Sequence, residues 1–134
     1  MELTIILAAA CTVMVLATAI QSIVIGIFLR RTPAIASEAD LDRFRKLART
    51  GMYLVFVGLP AVVVMIVCSV LIGARQGLVG LLRVLLANGV VLVFGLVGKR
   101  IEQRARSLKV ESSELAGAYR AIAEAWGRKL VPDF

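Results

Sequence analysis

The sequence predicts an all-α integral membrane protein with three transmembrane helices, and three observations carry that prediction. Three apolar runs, Leu3 to Leu29, Met52 to Ile72 and Leu78 to Val97, are each long enough as helix to cross a hydrocarbon core of roughly 30 Å. Hydrophobic residues make up 60 % of the 134 residues and mean hydropathy is +0.90, where soluble domains use roughly 45–50 % apolar residues. Lys and Arg are distributed by side, with six between Arg30 and Arg49, eight from Lys99 onward, and only Arg75 and Arg83 in or beside the short central turn. By the positive-inside rule the first connection and the tail are cytoplasmic, and the amino terminus and the turn face outwards. The expected topology is N-out, C-in, in one membrane domain over residues 1–134.

The first span (3–29) is interrupted only by small or neutral polar residues. Ala17-Thr18-Ala19 resembles a signal-peptide cleavage site, but Met-Glu-Leu lacks a basic n-region and the apolar run continues ten residues past Ala19, so the run is read as a mature helix. Its twenty-seven residues give about 40 Å of helix, which requires tilt or a projecting end. Arg30 and Arg31 suit the carboxyl end of the macrodipole, and Pro33 cannot continue the helix.

The cytoplasmic connection (30–51) restarts as an amphipathic helix. Ser37 and Asp40 have capping-box spacing, Leu41, Phe44 and Ala48 share one face, and Gly51 is a candidate break before the second span (52–72). Pro60 frees the carbonyl of Phe56 and is expected to bend that span. An outer turn is expected over 73–77, making the second span and the third (78–98) an antiparallel hairpin.

Within the third span, Arg83 lies shallow enough to snorkel, whereas Asn88 sits at the midpoint. An amide left unsatisfied in hydrocarbon costs several kcal/mol, so Asn88 should face another helix. The helical tail (99–134) opens as a basic rod and closes with Leu115, Tyr119, Ile122, Trp126 and Leu130 at helical spacing. That apolar face suits the membrane interface, a partner protein, or the helix from Ser37 to Thr50. Arg30, Arg31, Arg83, Lys99 and Arg100 are the candidate lipid-headgroup contacts.

The first span carries the sharpest pattern. Ala10, Met14, Thr18, Ser22 and Gly26 recur every fourth residue with Gln21 alongside, a small and polar-tinged stripe suited to close helix contact. With Asn88 it forms the expected helix-packing face, directed either to the chain's own hairpin or to another subunit or copy.

The chemistry is as informative in what it lacks. The chain has no His, and the three apolar runs hold no Asp, Glu or Lys, so a proton path, haem ligation and zinc chemistry are disfavoured. Cys11 and Cys68 form no CxxC motif and read as small hydrophobes of one leaflet. Gly73 to Gly80 lacks a GK[ST] ending, and no base accompanies a Ser or Cys nucleophile in the spans. No enzyme, cofactor or metal is expected. The formal charge of +7 is mainly a topology signal and lacks the aromatic platform of a nucleic-acid binder.

These readings lead to a non-catalytic accessory or assembly subunit of a larger respiratory or transport complex. Its partners would be the lipid bilayer and other membrane subunits or copies of itself. Alternatives are a homo-oligomeric pore and a scaffold that recruits a cytoplasmic protein. In topology the chain resembles three-span phage holins, which have an outward amino terminus and a basic cytoplasmic tail. Short loops and abundant Ala, Val, Leu, Gly and Arg point to a bacterial cytoplasmic membrane.

Overall fold

The computed structural model describes residues 2–128, so Leu130 of the final helical pattern lies outside the described residues. Helix dominates: α1 spans Glu2–Arg31, α2 spans Glu38–Arg106 and α3 spans Ser113–Arg128. Two-residue strands β1 (Ala34–Ile35) and β2 (Lys109–Val110) occupy the two connections and pair in parallel, with Ala34 opposite Lys109 and Ile35 opposite Val110. The Glu111 N–H extends the pairing by donating to the Ile35 carbonyl at 3.1 Å.

Each helix end has a local cause. At the end of α1 the Thr32 N–H closes the last turn on the Phe28 carbonyl at 2.8 Å, and Pro33 follows with no N–H to give. The capping box at the start of α2 forms: Ser37 Oγ accepts from the Asp40 N–H at 3.2 Å while its hydroxyl donates to Asp40 Oδ2 at 2.9 Å. Neither Gly51 nor Pro60 interrupts α2, so the amphipathic lead-in and the second apolar run are one helix.

The non-helical backbone within α2 is at Gly77, with φ 57° and ψ −138°. The expected five-residue turn over 73–77 is therefore a one-residue break, and Gly73 to Gln76 stay helical. The two arms, residues 38–76 and 78–106, fold back along each other: Asn88 Nδ2 donates to Ser69 Oγ at 3.1 Å across nineteen positions of sequence.

Two buried clusters result. One joins Leu7, Ala10 and Cys11 of α1 to Met65, Cys68 and Ile72 of the first arm and Val84 of the second. Both thiols are in this cluster and free, at the shared level their positions predict. The other lies at the far end, where Ile25 and Phe28 of α1, Phe44 and Met52 of the first arm, Ala105 of the second, and Tyr119, Ile122 and Trp126 of α3 pack together.

The remaining surface is apolar. Helices α1 and α2 are long and apolar enough to cross a membrane, with mean hydropathy 2.5 and 2.9 over their most apolar windows. Only 17 % and 22 % of those windows are buried, the reverse of a soluble core helix. Leu78 and Leu86 are each 73 % exposed and Val70 is 66 % exposed, within an apolar exterior far larger than soluble monomers tolerate.

Candidate functional site

The small-residue stripe of α1 meets both arms of α2. Ala10 is buried among Cys68 and its neighbours, and Met14 lies over Gly58, where a Cβ would come within 3.4 Å of its sulfur. One turn further, the Thr18 hydroxyl donates to the Met14 carbonyl at 2.8 Å. A Cβ on Gly98 of the second arm would meet Thr18 Cγ2 at 2.9 Å and Ser22 Oγ at 3.4 Å, so α1 and the second arm are close here because position 98 has no side chain. Gly26 has open space around it.

Gln21 leaves the stripe towards the first arm. Its Nε2 and the Trp126 indole Nε1 would each lie 3.0 Å from a Cβ on Gly51, so a side chain from α1 and one from α3 converge on a buried glycine of α2. Beside this junction is a polar notch of about 360 Å³ lined by Gln21, Ser22, Lys99, Glu102, Arg106 and Trp126, among others. The apolar stretch of the second arm ends at this level.

The electrostatics of the notch follow from that position. Burial pushes the Glu102 carboxyl above its usual range, and the nearby Arg106 and Lys99 cations oppose the shift. Arg106 reaches Glu102 at 3.7 Å, gives its Nε hydrogen to the Ala123 carbonyl at 2.9 Å, and lies against Gly127, where a Cβ would displace its guanidinium. The arginine thus ties the second arm to α3. Tyr119 makes the other tie: its hydroxyl donates to the Ala105 carbonyl and accepts from the Leu108 N–H, each at 2.8 Å. Burial also raises the Tyr119 phenol, which stays neutral and available as a donor.

The apolar face of α3 rests on the chain itself. Phe44 stands 4.7 Å from the Tyr119 ring and 5.8 Å from the Trp126 ring, centroid to centroid. Tyr119, Ile122 and Trp126 are buried in this cluster and Leu115 packs against it. Of the three surroundings the sequence left open for this face, the helix starting at Ser37 is the one it meets.

The structure disperses the candidate headgroup cations. Arg30, Arg31, Lys99 and Arg100 are exposed near the notch end. Arg83 is exposed near the Gly77 break and donates to Gln76 Oε1 at 3.3 Å. Lys99 alone of these five lines the notch. Asn88 faces the hairpin partner, bonded to Ser69 and, at 2.9 Å, to the Val84 carbonyl.

Sequence reasoning did not single out Gly51, Glu102 or Arg106 as site residues. The contact of Gly98 with Thr18 depends on the register between helices far apart in sequence. Among the described residues no cluster of His, Cys, Asp or Glu is placed to hold a metal. The notch offers hydrogen-bond donors, a carboxyl and two cations at the edge of an apolar exterior, an arrangement suited to binding and helix coupling. Comparison with protein-family models, curated proteins and solved structures finds no match to this chain.

Proposed function

We propose that the chain is a multi-pass protein of the bacterial cytoplasmic membrane, with three spans in an N-out, C-in topology. In this reading it acts as a non-catalytic accessory or assembly subunit of a larger respiratory or transport complex. The fold-back at Gly77 supports three spans, because it divides α2 into two antiparallel arms that each carry an apolar stretch of membrane-crossing length. The charge distribution supports the orientation, since the basic ends of α1 and of the second arm meet the amphipathic start of α2 and α3 on one side.

The observation that carries the accessory reading is where the polar side chains of the spans point. Thr12 and Thr18 bond their own helix, Asn88 bonds Ser69, and Ser22 and Thr18 pack on Gly98. Apart from Thr12, whose hydroxyl is bonded to its own helix, and Arg83 near the Gly77 break, the outward surface of the spans is mainly Leu, Ile, Val and Phe. A water-filled pore assembled from copies needs polar groups turned outwards to line it, which favours the subunit reading over the pore. Along the second arm, Leu85, Leu86, Gly89, Val90, Val93 and Phe94 form an apolar hollow of about 430 Å³ that suits a helix of another membrane protein. Recruitment of a soluble protein would have to use the exposed polar face of α3, because its apolar face is covered.

The test is extraction from the native membrane through a tag after Phe134 in mild detergent, with identification of bound proteins by mass spectrometry. Stoichiometric membrane-protein partners are expected. A particle containing only this chain, together with dye entry into expressing cells, would replace this reading with the pore.

A further inference from the structure

At the same end of the molecule as the polar notch, α1 and the start of α2 form a groove of about 350 Å³. Its floor is apolar, formed by Val24, Ile27, Phe28 and Leu47. Its rim is basic, formed by Arg31 from the last turn of α1 and by Arg43 and Lys46 from the first turns of α2. The three cations come from two helices, and their common wall continues directly into exposed aliphatic surface, with Val24 41 % and Ile27 49 % exposed.

We propose that this groove binds one anionic phospholipid, its phosphate held by Arg31, Arg43 and Lys46 and the start of an acyl chain lying along Val24 and Ile27. Charge complementarity and the amphipathic lining select that occupant. A protein helix would leave the three cations facing its backbone, and a neutral lipid would leave them without a counter-charge. Asp40 approaches Arg43 at 3.8 Å and Asp42 approaches Lys46 at 2.9 Å, but neither carboxylate lines the groove, and both cations stay more than half exposed. They remain open to a second, stronger acceptor. The hydrogen bond and charge of Lys46, with smaller contributions from Arg45 and Arg49, hold the Asp42 carboxyl below its usual range.

Thr32 gives an independent indication. It lines the groove, is only 3 % exposed, and its Oγ1 has no hydrogen-bond partner in the protein. Buried hydroxyls are normally satisfied; this one has almost no accessible surface, so a phosphate or glycerol oxygen in the groove would bond it once the side chain rotates towards it. Thr50 across the groove has already used its hydroxyl on the Lys46 carbonyl at 3.0 Å, so Thr32 is the wall residue with an unused donor.

The assignment of this lipid to the inner leaflet rests on the N-out, C-in reading; the lipid contact itself does not. The full chain, purified in mild detergent, is titrated with phosphatidylglycerol or phosphatidylcholine and lipid adducts are counted by native mass spectrometry. One phosphatidylglycerol should be retained with a preference of about tenfold or more over phosphatidylcholine, and Arg43→Gln/Lys46→Gln should remove that preference. The matched-charge control Arg104→Gln/Arg120→Gln should leave it intact, and Thr32→Val should weaken retention in an otherwise unchanged fold. Equal retention of the two lipids, an equal loss in the control, or displacement by millimolar inorganic phosphate would overturn the proposal. Labelling of Ala36→Cys by a membrane-impermeant maleimide, in intact cells and in inverted vesicles, reports the leaflet separately. A wrong topology would move the site to the other leaflet without altering the lipid titration.

Discussion

Asn88 Nδ2 and Ser69 Oγ are 3.1 Å apart across the fold-back of α2, and the same amide nitrogen lies 2.9 Å from the Val84 carbonyl one turn behind. Both amide hydrogens therefore have acceptors within the chain. Inter-helix hydrogen bonds of this kind average about 0.6 kcal/mol in apolar surroundings, so the pair orients the arms more than it stabilises them. A double-mutant cycle of Asn88→Ala and Ser69→Ala, followed by detergent-driven unfolding, should give a coupling of about 0.6 kcal/mol. Coupling indistinguishable from zero would mean that the amide and hydroxyl do not meet.

Gly98 and Thr18 make the tightest approach between α1 and the second arm. In Gly98→Ala the new methyl group meets Thr18 Cγ2 at 2.9 Å, an overlap costing about 1–3 kcal/mol, while the gain in helix propensity returns about 1 kcal/mol. The variant should thus be destabilised by about 1 kcal/mol on balance. Thr18→Ser removes Cγ2 and keeps the hydroxyl, so it should restore stability in the Gly98→Ala background. If Gly98→Ala is neutral by itself, the helices are further apart than described.

Tyr119→Phe strips the partner from both the Ala105 carbonyl and the Leu108 N–H while leaving the ring against Phe44. One buried and one half-buried backbone group left unsatisfied should cost about 1–3 kcal/mol in total, felt at the docking of α3. Limited proteolysis is the readout, with faster cleavage in the loop around Glu111 than in the parent protein. Unchanged cleavage would assign the docking to the aromatic cluster alone.

Much of this was legible in the sequence and some was not, for physical reasons. Long apolar runs, the Ser37 and Asp40 cap and the Asn88 partner requirement are local or compositional signals, and the structure carries each of them. The extent of the outer turn misled because Gly73 and Gly77 look alike in sequence. Glycine inside a helix costs only about 1 kcal/mol relative to alanine, so Gly73 stays helical, while Gly77 takes the positive φ that the reversal requires. The pairing of β1 with β2 is two residues long and leaves no alternation to detect. The docking of α3 on Phe44 was one of three open alternatives, because amphipathicity shows that a face is covered without saying by what. Glu102 carried no signal at all, its environment being set by α3 arriving from elsewhere.

The raised Glu102 carboxyl makes this end of the molecule pH-sensitive, chiefly through burial, with Arg106 and Lys99 opposing. A folded value above the unfolded one contributes stability that is complete below the unfolded value and is lost as pH rises through the folded one. Docking of α3 should therefore loosen as pH rises from the ordinary carboxylate range, read as faster amide hydrogen exchange in residues 113–128. Glu102→Gln should flatten that dependence. Asp42, whose carboxyl is lowered by Lys46, contributes in the opposite direction, its stabilisation fading as pH falls, but it faces solvent and is screened. A pH dependence that survives Glu102→Gln would place its origin elsewhere.

Gly77 and Gly73 separate backbone conformation from packing. A Cβ at either position meets nothing within 4 Å, so steric room does not distinguish them. Their backbones do: Gly77 has φ 57° and ψ −138°, a region that L side chains rarely adopt, whereas Gly73 is helical. Gly77→Ala should cost about 1–3 kcal/mol, expressed as partial opening of the hairpin. Gly73→Ala should be neutral or should stabilise by up to about 1 kcal/mol, through helix propensity alone. Detergent-driven unfolding of the two variants, with cross-linking of cysteines placed at Val70 and Leu85 to follow the hairpin, reads both effects. Equal behaviour of the two variants would show that the chain reverses over a longer turn than the single residue described.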